Sequence, residues 1–304
     1  MRETTDFDRF TDEVHKALKL RYPGRKVDIR RVTKNNGVIY TGVSVTGSDD
    51  CIYPTMYLEP FYEELDGEVS DEAVDRMCRV YESRRLGEAP ALDFLRNYEE
   101  IRDGLRCKLI NYEANAGMLE NVPCRRFMDL AIVPYYSFRE SGITFLTSGE
   151  ATFIIRNTHL EMWGVDAERV LDDAVGNTME YEKPSIRGIM EVLKELNPAY
   201  AAAAFNDSDS YPMYIMTTER GNGAVSMLYE EELKDFCESI GSDIYIIPSS
   251  IHEVILVPVN DVMPLSMINE MIREVNHTEI EAVEILSDHA YYFASGGGYR
   301  ETEC

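Results

Sequence analysis

The fold of this chain is decided by residues 243–258, which read DIYIIPSSIHEVILVP. Two runs rich in apolar residues, 243–247 and 252–257, lie on either side of a proline and two serines. Short runs of β-branched and aromatic residues bounded by turn formers are typical of strands. The segment therefore predicts two neighbouring strands joined by a polar turn.

The sequence on both sides of this segment extends the same pattern. It predicts a strand at 213–218, a hairpin turn at Asn222-Gly223, a partner strand at 224–229, and helices at 230–239 and 264–275. A ββαββα order of this kind predicts an α+β fold with mostly antiparallel sheets and helices packed on one face.

The first half of the chain adds a helical insertion to this pattern. Apolar residues at helical spacing predict a helix at 6–21, and Asn36-Gly37 predicts a hairpin between strands at 27–32 and 38–45. Residues 70–117 predict two to four helices. Further on, 130–136 reads as a buried strand, and 157–163, 166–180 and 184–196 read as helices.

These changes in pattern suggest a division of the chain into three parts. We expect an N-terminal α+β region with the helical segment at 1–122 and a C-terminal α+β region at 123–292. A flexible tail is expected at 293–304, because Gly296-Gly297-Gly298 opens it and chain termini are commonly loose.

The composition is that of an acidic globular protein. Of its 304 residues, 44% are hydrophobic, and 30 Lys and Arg stand against 55 Asp and Glu, for a formal net charge of −25. Such a charge repels phosphate backbones and anionic lipid, so neither a nucleic acid nor a membrane is expected as a partner. No apolar run approaches the length of a membrane span.

The cysteines and the first residues indicate the compartment. Six cysteines are scattered without a C-x-x-C pair, and the N-terminus lacks the apolar core of a signal peptide. We therefore expect a soluble cytoplasmic protein with reduced thiols.

The densest group of reactive side chains is Ser249, Ser250, His252 and Glu253. A serine, a histidine base and an orienting carboxylate would suit a hydrolase. The same residues also match a structural turn, because Ser250 and Glu253 have capping-box spacing. On a strand, moreover, His252 and Glu253 would point to opposite faces. The structural turn is the favoured interpretation, and the hydrolase remains the alternative.

No motif for a metal or cofactor is complete. His252-Glu253 begins like H-E-x-x-H, but the fifth position is Leu256, and the other histidines lack ligand spacing. Neither a Walker phosphate loop nor a G-x-G-x-x-G loop occurs. We therefore expect no cofactor and no metal.

A second set of polar residues could bind a ligand. Asn36, Asn115 and Asn177 could converge on a polar molecule, because amides both donate and accept hydrogen bonds. Tyr57, in a tyrosine-rich stretch, could line a groove for an aromatic or peptide ligand. Each also has a structural explanation, as a turn, a helix end or a residue bridging core and solvent.

Several phrases of the sequence together resemble a known family. They are Lys34–Val38, Pro54–Tyr62, Asn111, Asn115, Phe127–Val133, Asn157–Leu160 with Trp163-Gly164, Ala174, Asn177-Thr178, Met213-Tyr214, Gly223-Ala224 and Pro248–Glu253. In this order they resemble the bacterial domain-of-unknown-function family numbered 5688, common in gut-dwelling Gram-positive anaerobes. The resemblance runs from about Phe7 to about Tyr292. It implies a bacterial cytoplasmic setting and a single architectural unit, and it transfers no catalytic residue.

Taken together, the residues favour a soluble cytoplasmic binding or regulatory protein without catalytic activity. Its partner would be a protein or a small-molecule ligand. The alternative is a hydrolase that uses Ser249 or Ser250 with His252.

Overall fold

A computed structural model describes residues 6–47, 54–83, 92–138, 152–196, 212–219, 221–260 and 263–300. The chain divides into two compact units where the resemblance implied one. The first comprises Met1–Gly104 with Ser137–Phe153, and the second comprises Leu105–Tyr136 with Ile154–Cys304. The division at 104 differs from the boundary expected at 122.

The first unit is built from four helices and a three-stranded sheet within the described ranges. The elements are α1 (Asp6–Arg21), β1 (Lys26–Thr33), β2 (Ile39–Thr46), β3 (Met56–Tyr57), α2 (Glu59–Glu64), α3 (Asp71–Ser83) and α4 (Tyr98–Ile101). Short 3-10 turns lie at Asn35–Gly37, Leu92–Arg96 and Arg102–Gly104. The sheet order is β1-β2-β3, and both strand pairs are antiparallel.

The hairpin predicted at Asn36-Gly37 is confirmed. β1 and β2 pair antiparallel from Lys26 opposite Thr46 to Thr33 opposite Ile39. Asn36 and Gly37 both adopt positive φ, 57° and 71°, which is the conformation that favours Asn-Gly at such turns. The local sequence alone was sufficient because the turn depends on its own two residues.

The core of this unit lies between its helices and one face of its sheet. Phe10, Val14 and Leu18 of α1 share one helical face and are buried together with Val74 and Met77 of α3 and with Val43 and Val45 of β2. Tyr81 of α3 is also buried. Its hydroxyl accepts the amide proton of Val45 at 2.9 Å and donates to the Val45 carbonyl at 2.7 Å.

The second unit carries the remaining elements, except that Ser137, Thr152 and Phe153, at the ends of two strands, count with the first. They are β4 (Leu105–Asn111), α5 (Ala116–Leu119), β5 (Arg125–Phe127), β6 (Leu130–Ser137), β7 (Thr152–Ile154), α6 (Asn157–Trp163), α7 (Ala167–Tyr181), β8 (Pro184–Gly188), α8 (Ile189–Leu196), β9 (Tyr214–Thr218), α9 (Glu230–Ile240), β10 (Ile244–Ile247), β11 (Val254–Pro258), α10 (Leu265–Thr278), β12 (Tyr291–Phe293) and β13 (Tyr299–Arg300). A four-stranded sheet has the order β4-β6-β5, with β7 paired to β6. A six-stranded sheet has the order β13-β12-β10-β11-β9-β8.

The two strands predicted from residues 243–258 form the centre of the six-stranded sheet. β10 and β11 pair antiparallel, from Ile244 opposite Pro258 to Ile247 opposite Ile255. Ile247 and Val257 pack with Ile268 and Ile272 of α10 in one buried cluster. The molecule thus has the expected α+β fold with antiparallel sheets.

The hairpin predicted at Asn222-Gly223 is wrong. Residues Gly223–Leu228, expected as its return strand, form a buried 3-10 segment, and β9 pairs instead with β8 and β11. A Cβ at Gly223 would lie 2.0 Å from the His252 carbonyl oxygen and 2.0 Å from Thr217 Oγ1. A glycine is therefore needed at 223 because segments distant in sequence approach its backbone closely. The Asn-Gly pair alone does not distinguish this requirement from that of a hairpin turn.

Three further predictions need correction. Residues 105–111, expected within the helical segment at 70–117, form β4, a strand buried along most of its length. Residues 184–188, expected in a helix, form β8. Residues 293–300, expected in a flexible tail, complete β12 and form β13 around the three glycines; residues 301–304 lie outside the described ranges. The pairing of these strands depends on partners distant in sequence, so local periodicity alone does not separate them from helices.

Candidate functional site

The four residues proposed for chemistry form a turn between β10 and β11. Ser250 Oγ donates to Glu253 Oε1 at 2.8 Å, and Ser249 Oγ lies 3.1 Å from the Glu253 carbonyl oxygen and 3.3 Å from Oε1. The His252 amide donates to Ser250 Oγ at 3.0 Å. Both hydroxyls therefore stabilise the turn through the Glu253 carboxylate and backbone.

The imidazole of His252 points away from these hydroxyls. Its Nδ1 bonds to the Gly221 carbonyl oxygen, and its Nε2 lies 3.2 Å from Glu284 Oε1. The Gly221 carbonyl and an ionised Glu284 have no proton to donate, so both contacts are hydrogen bonds together only when the ring is doubly protonated. Partial burial lowers the pKa of His252, but the Gly221 and Glu284 hydrogen bonds and the nearby Glu253 charge outweigh it. The pKa is raised as a result.

The backbone around His252 is held from a second segment. Thr217 Oγ1 donates to the His252 carbonyl oxygen at 2.8 Å, and the Ala224 amide donates to the Ile251 carbonyl at 3.2 Å. The Ile251 amide in turn donates to the Glu284 carbonyl at 3.0 Å. The turn is thus a junction of the end of β9, the 3-10 segment and the chain near Glu284.

The expectation that the second strand starts at His252 is therefore wrong. This residue lies before β11, which begins at Val254, so it is not the first residue of a buried strand. Its side chain is 42% exposed. Among the contacts of the described residues, neither Ser249 nor Ser250 bonds to the imidazole. The turn brings serines to Glu253 and the histidine to Glu284, which are two separate pairs.

Two of the four ligand-binding candidates, Asn36 and Tyr57, belong to the first unit. Asn36 occupies the β1–β2 turn. Tyr57 of β3 packs beside Tyr40, with ring centroids 5.5 Å apart, and Lys34 Nζ lies 4.1 Å from the Tyr57 ring centroid. Asn36 therefore has a structural role in the hairpin turn. Tyr57 has one in its ring contact with Tyr40 and its cation–π contact with Lys34.

The other two, Asn115 and Asn177, lie at opposite ends of β4 in the second unit. Asn177 Nδ2 donates to the Leu105 carbonyl at 3.2 Å, at the start of the strand. Asn115 follows its end, and its Nδ2 donates to the Asn111 carbonyl at 2.8 Å. A strand of seven residues separates these contacts by roughly 20 Å, so the two amides do not converge on one ligand.

A cluster that the sequence reasoning missed joins the β5–β6 turn to the segment before β12. Ser287 Oγ donates to Asp129 Oδ2 at 2.9 Å and lies 3.1 Å from His289 Nδ1. Tyr291 donates to Asp129 Oδ1 at 2.7 Å, and burial, followed by the Asp129 charge, raises the pKa of Tyr291 well above its usual value. The adjacency Ser287-Asp288-His289 was the available signal.

This cluster contains a serine, a histidine and an aspartate, but the direction of its hydrogen bonds differs from that in a catalytic triad. Ser287 gives its proton to Asp129 and not to the histidine. His289 Nε2 is 3.8 Å from Asp129 Oδ1. Ser287 is 1% exposed, so its oxygen is out of reach of a substrate. The arrangement suits a structural link between two segments 158 residues apart.

A second unforeseen cluster is buried between β4 and α7. Arg106 is fully buried, and its Nη1 donates to the Leu105 carbonyl at 2.7 Å. Its guanidinium carbon Cζ lies 4.7 Å from the centroid of the Tyr181 ring. Glu182, also buried, accepts from Thr218 Oγ1 at 3.3 Å. Burial raises the pKa of the neighbouring Cys107 to about 12, and the Glu182 charge adds to the shift, so this thiol is not a nucleophile at neutral pH.

Comparison with known proteins was informative at the level of the family. Residues 7–295 match the family of unknown function DUF5688. The chain belongs to this family. Neither a curated protein nor a solved structure matches the chain.

Two further properties of this DUF5688 protein concern its described residues. Within them, no group of three or more His, Cys, Asp and Glu side chains is placed to hold a metal ion. None of the helices in the described ranges is both long enough and apolar enough to cross a bilayer.

Proposed function

We propose that this protein is a binding or regulatory protein that performs no chemistry of its own. The observation that carries the proposal is the bonding of His252. A general base needs a ring nitrogen with a free lone pair beside the nucleophile. Both nitrogens of His252 are instead in hydrogen-bond contact with the Gly221 carbonyl and with Glu284, away from either serine.

The serine hydroxyls support the same conclusion. Ser249 and Ser250 are hydrogen bonded to Glu253, which stabilises the turn and does not orient the histidine. In the Asp129 cluster, Ser287 is buried and donates its proton to the carboxylate. Each hydroxyl thus has a structural role, and neither constellation offers a histidine base to a reachable serine oxygen.

A cytoplasmic setting fits the chemistry of the side chains. The four cysteines of the described ranges, Cys78, Cys107, Cys124 and Cys237, are free thiols, as is usual in a reducing compartment. The net charge of −25 makes a nucleic acid or an anionic membrane an unfavourable partner for the molecule as a whole. We therefore propose a protein or small-molecule partner.

Labelling with a fluorophosphonate probe tests the absence of hydrolase chemistry. The wild-type protein is incubated with the probe beside a heat-denatured sample and an active serine esterase. We expect no labelling above the denatured sample, because in neither constellation is a reachable serine oxygen activated by a base. Labelling above that of the denatured sample would contradict the proposal. So would turnover of p-nitrophenyl acetate above the rate of free imidazole.

Variants assign any activity that does appear. Ser249→Ala and Ser250→Ala would abolish labelling if the hydrolase alternative held, and Ser287→Ala would abolish it if the Asp129 cluster were reactive. Ser239→Ala is the matched control, since Ser239 lies on the exposed surface of α9 and donates only to the Phe236 carbonyl among the described contacts. Labelling that any of the first three variants removes would establish an enzyme.

A further inference from the structure

β1 is an edge strand of the three-stranded sheet. The order β1-β2-β3 leaves one side of β1 without a neighbouring strand among the described residues. β1 has eight residues, Lys26–Thr33, whereas many proteins protect a sheet edge by keeping the edge strand very short. A long open edge is a surface to which another extended chain can add.

The contacts of β2 show which backbone groups of β1 point outward. Val45 and Thr41 direct their backbone groups away from β1: Val45 bonds to Tyr81, and the Thr41 carbonyl accepts from the Leu58 amide at 3.0 Å. In an antiparallel pair, opposed residues both point inward or both point outward. Val27 and Arg31, opposite Val45 and Thr41, therefore direct their amide and carbonyl groups to the open edge.

The same alternation makes Ile29 and Thr33 outward-facing as well. His15 Nε2 lies 3.2 Å from the Val27 carbonyl oxygen, which agrees with this assignment and covers the first of the four positions. For Ile29, Arg31 and Thr33, no backbone hydrogen-bond partner occurs within the described ranges. Three alternate residues thus present donors and acceptors at strand spacing.

The edge is also basic in an otherwise acidic chain. Residues 25–34, RKVDIRRVTK, hold five basic residues and one acid, a local charge of +4, whereas the chain as a whole carries −25. Lys26, Arg30 and Arg31 of β1 are all exposed. They lie on both faces of the strand, because Arg31 alternates with the other two.

From the open backbone and the local charge together, we propose that the outer edge of β1 binds an extended acidic segment of another protein as an added strand. Backbone hydrogen bonds to Ile29, Arg31 and Thr33 would supply the register. Acidic side chains of the segment would meet the basic residues on both faces. The proposal specifies the partner of the binding function proposed above and shares its premise that the protein acts by contact.

Two other occupants fit the edge less well. A second copy would place β1 against β1 and set two local charges of +4 side by side, which is repulsive. A nucleic acid is anionic but lacks the alternating amide and carbonyl groups that an open strand edge pairs with. The backbone pattern therefore favours a peptide, and the charge favours an acidic one.

Fluorescence anisotropy with a defined peptide tests the proposal. The probe is a fluorescein-labelled ten-residue peptide that alternates glutamate with valine and threonine. We expect saturable binding that weakens severalfold between 50 and 500 mM NaCl, because exposed charges are screened. The same peptide N-methylated at every second residue, and a version with lysine in place of glutamate, should both bind at least about tenfold more weakly.

Variants of Arg31 separate the backbone contribution from the charge. Arg31→Pro removes the outward amide and leaves the bonds between β1 and β2 intact, whereas Arg31→Gln removes the charge alone. We expect Arg31→Pro to bind at least about tenfold more weakly than Arg31→Gln. Arg9→Gln, at an exposed position of α1, removes the same charge away from the edge and should bind as wild type does.

Hydrogen exchange provides a readout on the wild-type protein. The amides of Ile29, Arg31 and Thr33 should exchange quickly in the free protein and become protected when the acidic peptide is bound. No binding at millimolar peptide, or binding that N-methylation and Arg31→Pro leave unchanged, overturns the proposal. So does a β1-dependent dimer, or equal binding of oligo-dT. None of these results bears on the fluorophosphonate test, so failure here and failure of the non-catalytic function are distinguishable.

Discussion

At the scale of single residues, His252 shows how a reactive type of side chain becomes structural. Its two ring nitrogens contact the Gly221 carbonyl and Glu284, and its own carbonyl accepts from Thr217. Each bond joins the turn to a segment at least 31 residues away in sequence. The imidazole is thus the centre of a junction, and the stability of this junction depends on the protonation of the ring.

The contribution of His252 to stability should therefore depend on pH. Its folded-state pKa is raised above the ordinary 6.5, so the charged ring stabilises the fold below the unfolded-state pKa. This stabilisation is lost as pH rises through the folded-state pKa. We expect His252→Gln to destabilise more at pH 5.5 than at pH 9. The difference should stay below about 1 kcal/mol because the side chain is partly exposed.

Urea unfolding of wild type and His252→Gln at the two pH values measures this difference. Glu284→Gln is the control background, because it removes the carboxylate that bonds to Nε2. In that background the pH dependence of the His252→Gln effect should shrink. A His252→Gln effect that grows with rising pH would contradict the raised pKa of His252.

Gly223 is the second residue on which this junction depends. A Cβ there would overlap the His252 carbonyl oxygen and Thr217 Oγ1 and lie 2.9 Å from the Thr218 amide nitrogen. Two of these atoms belong to the backbone, so Gly223→Ala should cost more than about 2 kcal/mol of unfolding free energy.

The matched control is Gly176→Ala in α7, where a Cβ meets no atom within 4 Å among the described residues. There, alanine should be neutral or stabilise by up to about 1 kcal/mol, as it does in helix interiors. Chemical denaturation compares the two variants. Equal stabilities would mean that the approach at Gly223 is looser than described.

At the scale of elements, α7 is fastened to β4 by its own last turn. Thr178 Oγ1 accepts the Cys107 amide proton at 2.9 Å and donates to the Ala174 carbonyl at 2.8 Å. Asn177 bonds to the Leu105 carbonyl at 3.2 Å. Asn177, which the sequence offered as a ligand-binding candidate, and its neighbour Thr178 thus hold a helix against a strand.

Removing the Thr178 hydroxyl should weaken this attachment. Thr178→Val keeps the shape but leaves the buried Cys107 amide without its acceptor, so we expect a loss of about 1–3 kcal/mol. Thr178→Ser retains the hydroxyl and should keep more of the stability. Thermal melts of both variants provide the comparison, and a valine variant as stable as the serine variant would contradict the assignment.

The two Asn-Gly pairs show what local sequence can and cannot predict about an element. At Asn36-Gly37 the turn conformation resides in the two residues themselves, and the prediction is confirmed. At Asn222-Gly223 the glycine is required by a segment 29 residues further on, and the return strand is a buried 3-10 turn. Local signals succeed where the constraint is local.

At the scale of the whole molecule, the thiols report on packing. Of the six cysteines in the sequence, Cys107 and Cys237 are buried, and burial raises their pKa values to about 12 and about 11. We expect six thiols by Ellman titration in denaturant without reductant. In the native protein, Cys107 and Cys237 should react far more slowly than the half-buried Cys78 and Cys124.

Mass spectrometry after a timed native reaction identifies which cysteines are modified. Cys51 and Cys304 are counted in denaturant with the rest. Four or fewer thiols there would point to a disulfide, and rapid native labelling of Cys107 would show that the β4–α7 interface opens readily.

The sequence by itself determined the fold class, the Asn36-Gly37 hairpin, the central strands around residues 243–258 and most of the helices. These follow from periodicity and turn chemistry, which are properties of neighbouring residues. It also contained the family resemblance, which the match over residues 7–295 confirms. The buried strand β4 was missed because Leu105 continues the helical spacing of the apolar residues before it, whereas the burial of the strand depends on segments distant in sequence.

Tertiary structure decided which side chains meet. Ser249 and His252 are near neighbours in sequence, but they bond to different carboxylates, Glu253 and Glu284. Asp129 and Ser287 are 158 residues apart and bond directly. A hydrogen bond depends on distance and direction in space, to within a few tenths of an ångström. Sequence spacing fixes neither once the chain turns, so the chemistry of a site is settled only when distant segments pack.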